Sequence, residues 1–251
     1  MTRSVAIDFL PEAVKSYRDG YAIVAIDVIR ATTTAATAVA LGRRCYPVPS
    51  IEAALPMAAR LHEPLLCGEL GGNMPFGFDI TNSPFEVANR PDHWRPMILL
   101  SSSGTQLIHN ASEAGATYIA CLRNWEATAA FIGERHERVA VIGAGTRGEF
   151  REEDQYGCAL VAAALMERGF APEGAQTTEI VERWQGKPVD AWQGSKSVDY
   201  LRRSNQLRDL DFVLAHQNDL RMACAVRHGE IVAIPLAAGE AGAAGTAVRG
   251  E

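Results

Sequence analysis

The chain has 251 residues, 47% of them hydrophobic and 22% charged, with a formal net charge of −6 and a pI near 5.6. That is apolar material for one large core or two small ones, and the acidic balance argues against a broad nucleic-acid surface, which needs clustered Lys and Arg. The longest apolar stretches, such as 159–166, are far too short to span a membrane, and residues 1–10 do not read as a secretory signal. Five scattered cysteines, never spaced as CxxC, fit neither a disulfide framework nor a zinc ribbon and point to a reducing cytoplasm.

Residues 5–11 (VAIDFLP) add an outer strand. Residues 21–29 (YAIVAIDVI) read as a buried strand, and 31–41 as a small-residue helix stopped by Gly42. A short strand follows at 45–48, with Ser50 placed to cap a helix over 51–61. A strand at 65–68 runs into a Gly- and Pro-rich loop, 71–84. Next come a strand at 97–101, a helix over 106–114, a strand at 117–122 and a helix over 125–135. A strand at 138–143 and a helix over 153–167 complete the series. Beyond residue 174 the pattern is less regular, with a helix near 197–203 and a hairpin over 223–235 turning at His228-Gly229. The Ala/Gly-rich tail 239–251 reads as disordered. The alternation predicts an α/β fold: a mostly parallel sheet flanked by helices on both faces, with a less regular C-terminal part containing the hairpin. One domain over 1–238 is expected; a C-terminal subdomain from about 174 is the only division the pattern offers. An α/β enzyme of this size is often a homodimer, which is the assembly expected.

In open parallel sheets ligands bind beyond the carboxyl ends of the strands. There the strands deliver Asp27 and Arg30-Ala31-Thr32-Thr33-Thr34, then Glu69 with a loop carrying Asp79, Asn82 and Ser83. They also deliver Ser101 to Thr105, Asn124 and Gly145. A guanidinium, hydroxyls and backbone N–H groups at helix starts suit a phosphate or sulfonate, and plain helix capping is the competing reading. Asp27, Glu69, Asp79, Glu153 and Asp154 are the hard oxygen donors that Mg²⁺ prefers, though any one alone reads as a surface charge. Gly143-x-Gly145-x-x-Gly148 matches a dinucleotide fingerprint, but it lies late in the sheet and its helix starts too far on. The position two after Asp27 is Ile29, not the Asp of haloacid-dehalogenase enzymes. There is no GxSxG elbow, and the six histidines show no HxH or HExxH spacing.

Four segments together resemble the 2-phosphosulfolactate phosphatase family, associated with coenzyme M biosynthesis: AIDVIRATTTAATAVALG at 25–42, CGELGGNMPFGFDITNSP at 67–84, SSSGT at 101–105 and EEDQYG at 152–157. The resemblance implies a Mg²⁺-dependent hydrolase releasing phosphate from a small acidic organophosphate. It implies catalytic roles for Asp27, Arg30, Glu69 and Asp154, and Mg²⁺ held among Asp27, Glu69, Asp79, Glu153 and Asp154. Thr32, Thr33, Thr34, Asn82, Ser83, Ser103, Gly104, Thr105, Asn124 and Gly145 would contact substrate. Whether Asp27 is ligand, nucleophile or base stays open. Leu70, Thr81 and Ser103 stand where the family pattern usually has Arg, Gly and Asn. Two other readings therefore stand beside it: a phosphatase of a different, nucleotide-like or acidic, phosphate, and a non-catalytic protein that binds an anion.

Overall fold

The structure, a computed structural model, describes residues 2–236, so the expectation for the tail at 239–251 lies outside the described residues. Strand β1 spans Ser4–Phe9, followed by a 3₁₀ turn at Pro11–Ser16; then come β2 (Ala22–Ile26), α1 (Ala31–Ala40), β3 (Cys45–Val48), α2 (Ile51–Ala58) and β4 (Leu65–Gly68). The middle of the chain forms α3 (Pro84–Asn89), β5 (Met97–Leu100), α4 (Gly104–Ala111), β6 (Ala116–Ala120), α5 (Trp125–Gly133), β7 (Arg138–Gly143) and α6 (Glu152–Glu167). The C-terminal part adds β8 (Ala171–Pro172), α7 (Gly174–Trp184), α8 (Lys196–Arg203), α9 (Leu207–Ala215), β9 (Met222–Arg227) and β10 (Glu230–Pro235).

All ten strands join one sheet in the order β4-β5-β3-β10-β9-β6-β2-β7-β1-β8. Strand β2 shows why helices cover both faces. Its residues are apolar without alternation, and side chains along a strand point to opposite faces. Ala22, Val24 and Ile26 pack with Ile132 of α5, Val161 of α6 and Val181 of α7. Ile23 and Ala25 pack on the other face with Ala35 of α1 and Leu107 of α4. No helix of the described residues is long and apolar enough to cross a membrane. The five cysteines are buried and free.

The hairpin expected at 223–235 forms, with His228 (φ 51°) and Gly229 (φ 77°) as its two-residue turn. Positive φ at both positions is the signature of a type I′ turn, whose twist matches that of the flanking strands. Its place in the sheet is central. β9 runs antiparallel to β6 and β10 antiparallel to β3, so the hairpin joins two parallel blocks into one sheet. Helices α3, α7 and α9 lie where the sequence pattern reads loop or irregular chain. The hairpin sets the β3-β5-β4 block antiparallel to the block holding β2 and β7, yet the loops that follow β2, β4, β5 and β7 converge on one cavity, bringing together Asp27, Glu69, Ser101 and the residues after Ala144.

Gly68, at the end of β4, lies so close to β5 that a Cβ on it would sit 2.6 Å from the Leu100 carbonyl oxygen. The nearest neighbour is strand backbone, and Leu100 Cβ and the Phe78 ring close the remaining space. Gly68→Ala is expected to cost about 1–3 kcal/mol, read as a melting temperature lowered by several degrees.

Candidate active site

The site begins at the turn from β2 into α1. The Asp27 N–H donates to Thr32 Oγ1 (3.0 Å), Thr32 Oγ1 donates to the Asp27 carbonyl (2.8 Å), and Asp27 Oδ1 accepts from the Ala31 N–H (3.1 Å). These bonds aim a carboxylate that is only 6% exposed along the edge of the sheet. Its other oxygen abuts Gly104 at the start of α4 so closely that a Cβ there would overlap it, which requires glycine at 104. Thr33 Oγ1 donates to the Val28 carbonyl (2.8 Å), and Thr34 Oγ1 is buried without a partner. Thr32 and Thr33 thus build the turn, and neither they nor Thr34 line the cavity.

The cavity has a volume near 610 Å³ and is walled by residues from the β2, β4, β5 and β7 ends and from α8. Asp27, Arg30, Glu69, Asn82 and Ser103 all line it. Arg30 is buried, and its Nη1 donates to Asp209 Oδ2 (2.5 Å) and to Gln206 Oε1. Asp209 Oδ1 accepts from Ser83 Oγ (2.5 Å) and from the Phe85 N–H (3.3 Å). Asp209 therefore fixes the guanidinium through one group and leaves Nε and Nη2 without a partner among the described residues. Asn82 lines the cavity with Oδ1 buried and unpartnered. Glu69 clamps two loops: Oε1 accepts from the Ser102 N–H (2.7 Å), and Oε2 from the Gly72 N–H (2.7 Å) and Ser102 Oγ (3.1 Å).

Several expected residues sit elsewhere. Asp79 Oδ2 accepts from the Leu66 N–H (2.9 Å) and pairs with Arg95 (3.2 Å), away from the cavity. The Asp79 loop comes back along β4 rather than over the strand ends, so its place among the metal donors is not one the fold provides. Ser83 caps α3, Thr105 bonds back to Ser101, and Asn124 closes the turn after β6 through the Cys121 N–H (2.9 Å). Gly145, at φ 59°, presents its N–H to Asp154 Oδ2 (3.2 Å). Asp154 Oδ1 accepts from the Val28 N–H (2.9 Å), so Asp154 staples the β2 and β7 loops together behind the cavity. Glu153 is buried with Oε2 unpartnered. Asp209, Gln206 and the α8 residues were not legible as site residues. The one available signal was the helical spacing of Lys196, Tyr200 and Arg203, which all line the cavity.

Three acids are crowded here. Burial pushes the Asp27 carboxyl up to about 7, opposed by the Ala31 N–H bond and reinforced by the Glu69 and Glu153 charges. Burial also raises Asp154, with the Asp27 and Glu153 charges adding to it, and burial raises Glu153. Among the described residues no group of three or more His, Cys, Asp or Glu is disposed to hold a metal ion. Mg²⁺ does not need one, since it binds through one or two carboxylates and completes its shell with water and phosphate. Asp27 with Glu69, two hard donors on one cavity whose charges repel each other, fits that pattern.

A profile of the family described as 2-phosphosulpholactate phosphatase matches residues 8–226. The chain belongs to this family. Its members are phosphatases, and the chain is accordingly a phosphoric monoester hydrolase. Proteins named "Probable 2-phosphosulfolactate phosphatase" from Deinococcus radiodurans and Thermus thermophilus are each 32% identical to it, over 82% of this chain and 86% and 87% of theirs. One of the same name from Carboxydothermus hydrogenoformans is 35% identical over 64% of this chain and 66% of its own length. In this family member, Asp27 and Arg30 line one cavity together with Ser101, Ser102 and Ser103, while Glu153 and Asp154 at the start of α6 lie behind it.

The crowding predicts a pH dependence. A carboxyl whose folded pKa is raised from 3.8 to about 7 binds its proton more tightly folded than unfolded. The metal-free protein should therefore lose stability as pH rises from about 4 to about 7. Asp27→Asn keeps the acceptor for Ala31 and removes the charge. In EDTA it is expected to melt several degrees above the parent at pH 8 and close to it at pH 4.5. Equal shifts at both pH values would refute the assignment.

Proposed function

We propose that the chain hydrolyses a small acidic phosphomonoester such as 2-phosphosulfolactate to the 2-hydroxy acid and inorganic phosphate, with Mg²⁺ as cofactor. The observation that carries this reading is the pairing of a buried, charge-crowded Asp27 with a pre-positioned Arg30 on one cavity. Arg30, held through Nη1 by Asp209 and Gln206, turns Nε and Nη2 to non-bridging phosphoryl oxygens. Holding the guanidinium before substrate arrives spares its ordering cost at the moment of reaction. The hydroxyl of Ser103, which makes no capping bond to α4, and the amide of Asn82 are available to a ligand within the same cavity. Mg²⁺ held by Asp27 and Glu69 would neutralise charge on the phosphoryl group. Asp27 acts in its ionised form in that role. Glu69 also keeps the Gly72 and Ser102 loops in register through its backbone bonds. Asp154 and Glu153 support the site from behind: Asp154 orients the Val28 and Gly145 backbone on either side of it.

The test is release of inorganic phosphate from 2-phosphosulfolactate, phospholactate and simple phosphate esters, with Mg²⁺ and with EDTA. Metal-dependent release is expected, with at least a ~100-fold loss of kcat in Asp27→Asn, the size of effect seen when one electrostatic group is removed. Gly104→Ala, which drives a methyl group into the Asp27 carboxylate, is expected to do the same while keeping a native circular dichroism spectrum. Absence of release from every ester by folded protein would overturn the reading.

A further inference from the structure

The chain carries a net charge of −6, yet the cavity is lined by five basic side chains and two acidic ones. Most of that positive charge is already answered. Arg30 is engaged by Asp209, while Arg151 and Lys196 share Glu149 at 2.6 Å each. Arg147 and Arg203 are not. Among the described residues neither side chain makes a hydrogen bond or an ion pair, and both are exposed at the cavity wall.

Their placement is directional. Arg203 closes a stripe on α8 with Lys196 and Tyr200, at i, i+4 and i+7, so all three lie on one helix face and line the cavity. The neighbouring Arg202 turns away, to Asp199 (3.1 Å) and the Gln193 carbonyl (3.3 Å). The Tyr200 hydroxyl donates to the Gly72 carbonyl, which pins this face of α8 to the β4 loop. Arg147 approaches from the β7–α6 loop, where it takes a left-handed conformation (φ 53°) that is uncommon for a residue other than glycine. A cavity of about 610 Å³ is of a size that encloses a whole small molecule, organic part included.

We propose that Arg147 and Arg203 form a second oxyanion subsite, separate from the Asp27–Arg30 phosphoryl site, that holds the acid group on the organic part of the ester. The guanidinium fork matches a carboxylate, a sulfonate or a phosphate, and two of them without counter-charges favour a strongly acidic end over a neutral one. The subsite makes the enzyme selective for phosphoesters of hydroxy acids. Leu70, on the β4 loop and 39% exposed, supplies no charge to this task, so it falls to α8 and the β7–α6 loop.

The inference rests on the phosphatase reading, and its test separates the two. The quantity measured is the ratio of kcat/KM for 2-phosphosulfolactate, and for phospholactate, to that for phenyl phosphate, whose organic part is uncharged. Arg147→Gln and Arg203→Gln are each expected to lower this ratio about 10- to 100-fold, the range for losing one hydrogen bond to a charged group. Arg202→Gln serves as the control and leaves the ratio in place. A fall confined to 2-phosphosulfolactate assigns the group held as the sulfonate; a fall for both acids assigns the carboxylate. A ratio unchanged in both variants overturns the proposal. If the parent protein hydrolyses no ester, the phosphatase reading fails, and calorimetric binding of sulfolactate decides the subsite alone. A Kd raised about 10-fold or more by either variant supports it, and an unchanged Kd sinks it.

Discussion

The ion pair between Arg30 and Asp209, with both side chains 4% exposed, is the contact on which the site's geometry depends. It joins the first βα turn to a helix nearly 180 residues later. A pair so thoroughly removed from water stands only if each partner's remaining groups are satisfied. Here Gln206 shares the guanidinium, while Ser83 and the Phe85 N–H complete the carboxylate. The network therefore draws α3 and α9 onto the turn that carries Asp27. Its net contribution to stability is small or negative by the usual balance of desolvation against attraction, so its value lies in fixing where the guanidinium points.

Around that fixed group the fold concentrates like charge. Asp27, Glu153 and Asp154 are all buried, and burial shifts each toward its neutral form. The backbone answers part of the cost: the Ala31, Val28 and Gly145 N–H groups each donate to one of these carboxylates. What remains unanswered is the unpaired Glu153 oxygen and the mutual repulsion, a strain of the sort that functional sites retain. The acids divide by geometry. Asp27 and Glu69 reach the cavity, whereas Asp154 spends both oxygens on loop backbone and Asp79 faces the other way. Charge on the cavity wall is of the opposite sign, which suits a substrate with negative groups at both ends.

The sheet gives this arrangement its stiffness. Its two parallel blocks run in opposite directions, and the loops after β2, β4, β5 and β7 still meet at one cavity that α8 closes from the side. The β9–β10 hairpin, arriving last in the chain, fills the gap between β3 and β6 and makes two parallel blocks continuous. Completion of the sheet and docking of α9 on Arg30 thus both wait on the C-terminal third of the chain.

Much of this was legible in the sequence, for local reasons. The buried strand within YAIVAIDVI, which forms over Ala22–Ile26, the cap at Ser50 and the His228-Gly229 turn are set by periodicity and backbone preference within a few residues. Asp27, Arg30, Glu69, Asn82 and Ser103 were legible as cavity residues because each lies in a loop that follows a buried strand. The sequence could not show which way a side chain in such a loop turns. Thr32, Thr33, Thr105 and Asn124 carry the polar groups expected of a binding site, yet short side chains beside free backbone groups bond to those first. Nor could it show partners far apart in the chain. The place of the hairpin in the sheet, the docking of Asp209 on Arg30 and the turning of the Arg203 face of α8 into the cavity depend on contacts between distant segments, which leave no periodic trace in the sequence of either one.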